Sequence, residues 1–260
     1  MAVSPDVLIG PRLKVKRAYC HIDELIAKTS PLSKEWYSVR VQRHIVPPNA
    51  QPSGFALRYL PLEPIAEMVA LIIGDTVHNL RGALDHLATG IRNSSKWKST
   101  GHFPMRQKRK DLISKDGTPI EDLEAIEAAL FGSVDLILDK IRPTNGANEP
   151  FWAFHVLDND DKHNLILPTI TVASITNINA RFGGSVIQDC GMGGDATKPM
   201  NIVLSAAPIA IDNNFYASVD IKFGKGTPFE NEPVIPTLTQ IAAIVTDTLD
   251  QFESLIRKAP

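Results

Sequence analysis

Cysteine is scarce. Cys20 and Cys190 are the only two in 260 residues, far apart and outside any C-x-x-C arrangement. A disulfide scaffold is excluded, and the expectation is two reduced, buried thiols in a reducing compartment. Long hydrophobic runs are also missing. The longest uninterrupted one, Met68 to Ile73, falls far short of the ~20 residues that cross a bilayer. The stretch Met1 to Arg17 has neither an apolar h-region nor a small-residue cleavage site. These absences predict a cytoplasmic protein with no membrane partner. Nor is there an excess of positive charge. The formal net charge is −2 and the pI about 6.4, which argues against a dedicated duplex-DNA binder. The Gly-x-x-x-x-Gly-Lys-Ser/Thr, Gly-x-Ser-x-Gly and His-Glu-x-x-His signatures do not occur, so the familiar hydrolase, kinase and dinucleotide-binding classes lack support. Gly191-Met-Gly-Gly-Asp195 has no strand before it and no helix after it, and reads as a hairpin turn.

What is present suits a globular chain, 43% apolar and 22% charged. Arg12 to Lys28 reads as a helix ending before Ser30-Pro31. Trp36 to Ile45 alternates in period two, with Tyr37, Val39, Val41 and Ile45 on one side, and Phe55 to Leu60 is its natural hairpin partner. Pro61 to Ile91 carries the strongest helical signal: Val69, Ile73, Val77, Leu80, Leu84, Leu87 and Ile91 recur at spacings of three and four, and Pro64 suits a first turn. Pro119 to Ile141 reads as one or two helices broken near Gly132, Phe151 to His163 as a helix, and Leu165 to Ile175 as a strand. Phe215, Ala217, Val219, Ile221 and Phe223 form a clean strand face, with Asn201 to Ile211 as the expected antiparallel partner. Leu238, Ile241, Val245, Thr248, Phe252 and Leu255 mark a last helix, with Thr237 and Gln240 as a capping-box start. The predicted fold class is α+β: a helical bundle with a long central helix, packed beside a small antiparallel sheet. It forms one domain over 1–260, with a helical core at about 61–164 and the sheet plus C-terminal helix at about 165–260.

The long helix carries a second stripe. With Asp75 at zero and about 100° per residue, Arg81 falls at about 240°, Asp85 at about 280°, His78 at about 300° and His86 at about 20°. Glu67 joins them two turns earlier. An ordinary exposed face would carry Lys, Glu and Gln; short Asp and His side chains instead hold polar atoms close to the backbone and call for partners. A matching set lies in Trp152 to Asn164, where His155 and Asp158 are spaced i, i+3, Asp158 and Lys162 i, i+4, and Asn159 and His163 i, i+4. The two segments are expected to pack with their His and Asp residues meeting. One outcome is a buried hydrogen-bond network without catalysis, in a structural or interaction protein. Another is a divalent-metal site for hydrolysis or oxidation built from Asp75, His78, His155 and Asp158, two helices each offering a carboxylate and an imidazole. His21, His44 and His102 lie in separate segments without spaced ligand partners and read as surface or core residues.

Arg81-Gly-Ala-Leu-Asp-His86 resembles the Arg-x(4–6)-His motif of the HEPN superfamily, helical proteins many of which are metal-independent ribonucleases. The resemblance implies RNA phosphodiester cleavage without a cofactor. His86 would take part in acid–base chemistry at the ribose 2′-hydroxyl, and Arg81 would stabilise the charged phosphoryl group. His78, Asp85 and Asp158 would orient them. Five residues separate the pair by about 140° around a regular helix. Convergence therefore requires a distortion near Gly82 or a second subunit, and the family likeness implies a homodimer. The strings Gly-Asp-x-x-His-Asn-Leu-Arg-x-Ala-Leu-Asp-His-Leu and Leu-Asp-x-x-Asp-Lys-His are also similar to those of a recurring set of bacterial proteins without assigned activity.

From Arg92 to Lys110 there are seven basic residues and no acid. Trp97, His102 and Phe103 are interleaved among them. That composition suits a surface following a phosphate backbone and stacking a base. The expected RNA-binding residues are Lys96, Trp97, Lys98, Arg106, Lys108, Arg109 and Lys110.

Overall fold

A computed structural model describes residues 3–30, 32, 36–44, 54–62, 65–94, 101–163, 169–212 and 215–259. Its core helices follow the apolar spacing. In α1 (Ile9–Thr29) Val15, Ala18, Ile22 and Leu25 are buried. α2 (Ile65–Asn93) runs without interruption, and Val69, Ile73, Val77, Leu80, Leu84, Leu87 and Ile91 all point into the core. α1 packs antiparallel along α2, since Val7 meets Gly90, Gly10 meets His86 and Lys14 meets Gly82. Pro64 lies outside the described residues.

α3 (Glu121–Ala129) ends ahead of Gly132, whose φ of 87° turns the chain into a short helical turn, α4 (Ser133–Asp135), and a π-helical segment (Leu136–Ile141). α5 (Glu149–His163) packs on α2. α6 (Val234–Lys258) buries Leu238, Ile241, Val245 and Phe252 against α1, α2 and α5. It begins three residues before Thr237. The Thr237 hydroxyl therefore donates to the Pro233 carbonyl from inside the first turn and caps nothing at an N-terminus.

The strands form two antiparallel sheets. In the first, β1 (Tyr37–His44) pairs antiparallel with β2 (Gly54–Pro61), as the hairpin reading expects, and β5 (Met200–Ser205) adds to the other edge of β2. In the second, the long β3 (Thr169–Phe182) has β4 (Ser185–Gly194) on one side, and β7 (Tyr216–Lys222) and β6 (Ile209–Ile211) on the other. The expected hairpin between Asn201–Ile211 and the strand at Phe215 is thus replaced. β5 joins the first sheet and β7 pairs with β3. A period-two face says which residues are buried, and Ala217, Val219 and Ile221 are, but not which strand lies alongside.

Gly191 to Gly194 is not a hairpin turn either. It is the end of β4, with Met192, Gly193 and Gly194 opposite Ile175, Ser174 and Ala173. The turn falls at Gly183-Gly184, both at positive φ. Both cysteines are exposed and free, against the expectation of burial. Cys20 lies on the solvent side of α1, and Cys190 sits in β4, which pairs on one side only among the described residues. No helix among the described residues is long and apolar enough to cross a membrane.

Candidate functional site

Arg81 and His86 leave α2 on opposite flanks, as an undistorted helix requires. Arg81 is 5% exposed. Its Nη2 lies 3.0 Å from Asp85 Oδ1 and donates to the Phe103 carbonyl at 3.2 Å, while Nη1 rests on the Met105 sulfur. Burial lowers the proton affinity of the guanidinium below the usual arginine range; the Asp85 and Asp158 carboxylates oppose that. Asp85 completes the anchor: Oδ1 accepts from the Phe103 N–H at 2.8 Å, and Oδ2 lies 3.0 Å from His102 Nδ1. One i, i+4 pair on α2 therefore fastens the segment 101–105 over the helix.

A second arginine fastens the same segment about two turns beyond Asp85. Arg92 is fully buried, donates to the His102 carbonyl at 3.0 Å and stands 3.5 Å from Asp122 Oδ1. A Cβ at Gly101 would collide with its guanidinium, so the chain crosses Arg92 only as glycine. Arg92 is thus a core residue and not part of a basic surface.

The basic segment is otherwise divided. Arg106 lies 3.4 Å from Asp122, and Arg109 lies 2.9 Å from Asp139. Lys108 and Lys110 are exposed. Phe103 is buried against Phe151 and Phe252, with ring centroids 6.1 and 6.2 Å away, so it is a core side chain and does not stack a base. Lys96, Trp97 and Lys98 lie outside the described residues.

Among the described residues, the expected meeting of α2 and α5 is seen at His78 and Asp158. His78, 60% exposed, presents Nδ1 at 4.0 Å from Oδ1 of Asp158, which is 1% exposed. The other residues of the metal set stand apart from it. Asp75 is exposed, and His155 stacks on Trp152 with its Nε2 3.3 Å from the Asn159 amide. No group of three or more His, Cys, Asp or Glu suited to a metal ion occurs among the described residues. The side chains of Lys162 and His163 are not among those described.

His86 is exposed beside α1: a Cβ on Gly10 would lie 3.5 Å from its Nδ1. His86 and His102 therefore flank one strip of α2, between α1 on one side and the segment 101–105 on the other. His102, 78% exposed, is level with Asp85, one residue and about 1.5 Å along the axis from His86. The sequence set His102 aside as a lone histidine. What could have flagged it is Asp85, a carboxylate on the stripe with no basic partner on the helix other than Arg81. One cation of α1 also borders this strip: Lys14, whose chain lies against Gly82 and whose Nζ donates to Asn79 Oδ1 at 3.3 Å. No family model, no curated protein and no solved structure matches the chain.

Proposed function

We propose that the chain cleaves RNA without a metal ion, by acid–base chemistry of two imidazoles on the exposed strip of α2. The observation that carries the reading is that His86 and His102 flank the strip at one level, with Asp85 holding His102 Nδ1 at 3.0 Å. That contact orients the ring and turns Nε2 outward for proton transfer. His86 removes the proton of a ribose 2′-hydroxyl, whose oxygen attacks the neighbouring phosphorus. His102 gives a proton to the departing 5′-oxygen as the P–O bond breaks. The products are a 2′,3′-cyclic phosphate and a 5′-hydroxyl.

In this reading Arg81 is a positioning residue. Its guanidinium, engaged by Asp85 and the Phe103 carbonyl, fixes the carboxylate that holds His102. His78 on Asp158 extends the strip towards the start of α2. Lys108 and Lys110, exposed beyond the anchored segment, supply charge for the backbone of the RNA. A cytoplasmic homodimer belongs to this reading through the resemblance of Arg81 to His86 to the HEPN motif, and is checked by concentration-dependent sedimentation.

The test is cleavage of single-stranded RNA in excess EDTA with analysis of the new ends. Cyclic phosphate ends, and no cleavage of the matching DNA, are expected. 3′-Hydroxyl ends or cleavage of DNA would overturn the mechanism, because both bypass the 2′-hydroxyl.

A further inference from the structure

Gly82 is a helix-interior glycine whose packing does not require glycine. A glycine there weakens the helix relative to alanine by loss of backbone entropy on folding. At Gly90 the reason is close contact, since a Cβ would stand 3.2 Å from Val7 Cβ. At Gly82 a Cβ would meet only the Lys14 chain, at 3.8 Å from Cε, 3.9 Å from Cδ and 4.0 Å from Nζ. These are ordinary contact distances. The missing side chain leaves the Gly82 backbone bordered by the Lys14 chain and its ammonium group alone.

Lys14 is free to serve a ligand. Its Nζ donates to Asn79 Oδ1 at 3.3 Å, and no carboxylate lies within ion-pair distance of it among the described residues. Arg12, two residues before, faces the other flank of α1 and is taken up by Asp250 at 2.7 Å and by Glu253. His86 lies one helical turn beyond Gly82, which sets its Cβ about 6 Å from the Gly82 position. Arg17, exposed, continues the cationic flank one turn further along α1.

We infer that Lys14, Gly82 and His86 form a seat for a phosphate group, with the Gly82 backbone as its floor, Lys14 as the cation and the His86 imidazole as a hydrogen-bond donor. A phosphate is the ligand of choice because the floor is short of side chain but flanked by donors, and a compact lysine ammonium binds phosphate as a point charge. The inference rests on the cleavage reading only for the source of the phosphate, an RNA backbone. A free phosphate or nucleotide would fill the same seat.

The test follows the imidazole C–H resonances of His86 during titration with inorganic phosphate, and separately with a 2′-O-methyl RNA oligonucleotide that cannot be cleaved. Both probes are expected to shift His86, the oligonucleotide at lower concentration. Lys14→Gln weakens binding by about tenfold. Gly82→Leu abolishes it while far-ultraviolet circular dichroism stays unchanged. Lys225→Gln, in the turn after β7, removes the same charge without effect. A response to phosphate but not to the oligonucleotide supports the seat and assigns it to a free phosphate group. No response to either probe, or equal weakening by Lys14→Gln and Lys225→Gln, overturns it. Binding of the oligonucleotide without cleavage of ordinary RNA leaves the seat standing and removes the cleavage reading. Cleavage with an unshifted His86 does the reverse.

Discussion

The Asp85 carboxylate divides its two oxygens between structure and surface: Oδ1 accepts from the Phe103 N–H at 2.8 Å, and Oδ2 lies 3.0 Å from His102 Nδ1. Arg81, 3.0 Å from the same Oδ1, neutralises the charge from the buried side. A core anchor and an exposed imidazole are therefore coupled through one side chain. Damage to the anchor is expected to reach the strip, whereas removal of a strip histidine leaves the anchor intact.

Arg81→Met tests the anchor. It keeps most of the volume but leaves Asp85 without its guanidinium and the Phe103 carbonyl without its donor. Loss of one partner of a buried ion pair costs about 3–5 kcal/mol, so the urea midpoint is expected to fall with little change in slope. An unchanged midpoint would show that Arg81 does not hold the segment 101–105.

Gly101→Ala tests the second fastening. The added methyl meets the Arg92 guanidinium, which is fully buried and cannot swing aside. Overpacking of this kind costs about 1–3 kcal/mol, read as a lowered thermal midpoint. A wild-type midpoint would mean that the chain passes Arg92 elsewhere.

Tyr59 sets an alkaline limit. Its hydroxyl donates to the Ala196 carbonyl at 2.9 Å in the sheet core, and burial first, then the neighbouring Tyr37 and Asp195, push its pKa up to about 12. The folded state then holds the proton more tightly than the unfolded chain does. The resulting stability is whole below about pH 10 and is lost as pH rises towards about 12. Ultraviolet titration of the four tyrosines is expected to show Tyr59 ionising last, together with unfolding, and Tyr59→Phe to remove that step. Ionisation of Tyr59 along with exposed Tyr216 would contradict its burial.

Cys20 and Cys190 are both exposed, so a thiol reagent is expected to label both in the native protein without denaturant. Slow labelling of either until urea is added would return that residue to the interior.

The elements with a sustained period were legible in the sequence. α2 and α6 follow from apolar residues at three and four, and the β1–β2 hairpin from the alternation of Trp36 to Ile45 with a second apolar stretch at Phe55 to Leu60. Pairing was less legible, because alternation in Phe215 to Phe223 defines a buried face without naming β3 as its neighbour. Gly191 to Gly194 shows the converse: glycines that punctuate loops also serve in a strand when their amides are paired. At the site, the angular reading of α2 put Arg81 and His86 about 140° apart, and an undistorted helix keeps them so. His102 was not legible, since its link to Asp85 depends on how the segment after α2 folds back, which spacing does not encode. The pairing of His78 with Asp158 followed from two stripes that each lacked partners.

The central claim is tested most directly by RNA cleavage in excess EDTA, with the wild type beside His86→Ala and His102→Ala and the thermal midpoint of each recorded. Both imidazoles are exposed, so both variants are expected to fold with midpoints within about 3 °C of wild type. Each is expected to lose about 100-fold or more in rate, as removal of a general acid or base does. No cleavage of any RNA by the folded wild type, or full cleavage by either variant, would contradict the account and leave the strip as part of an interaction surface.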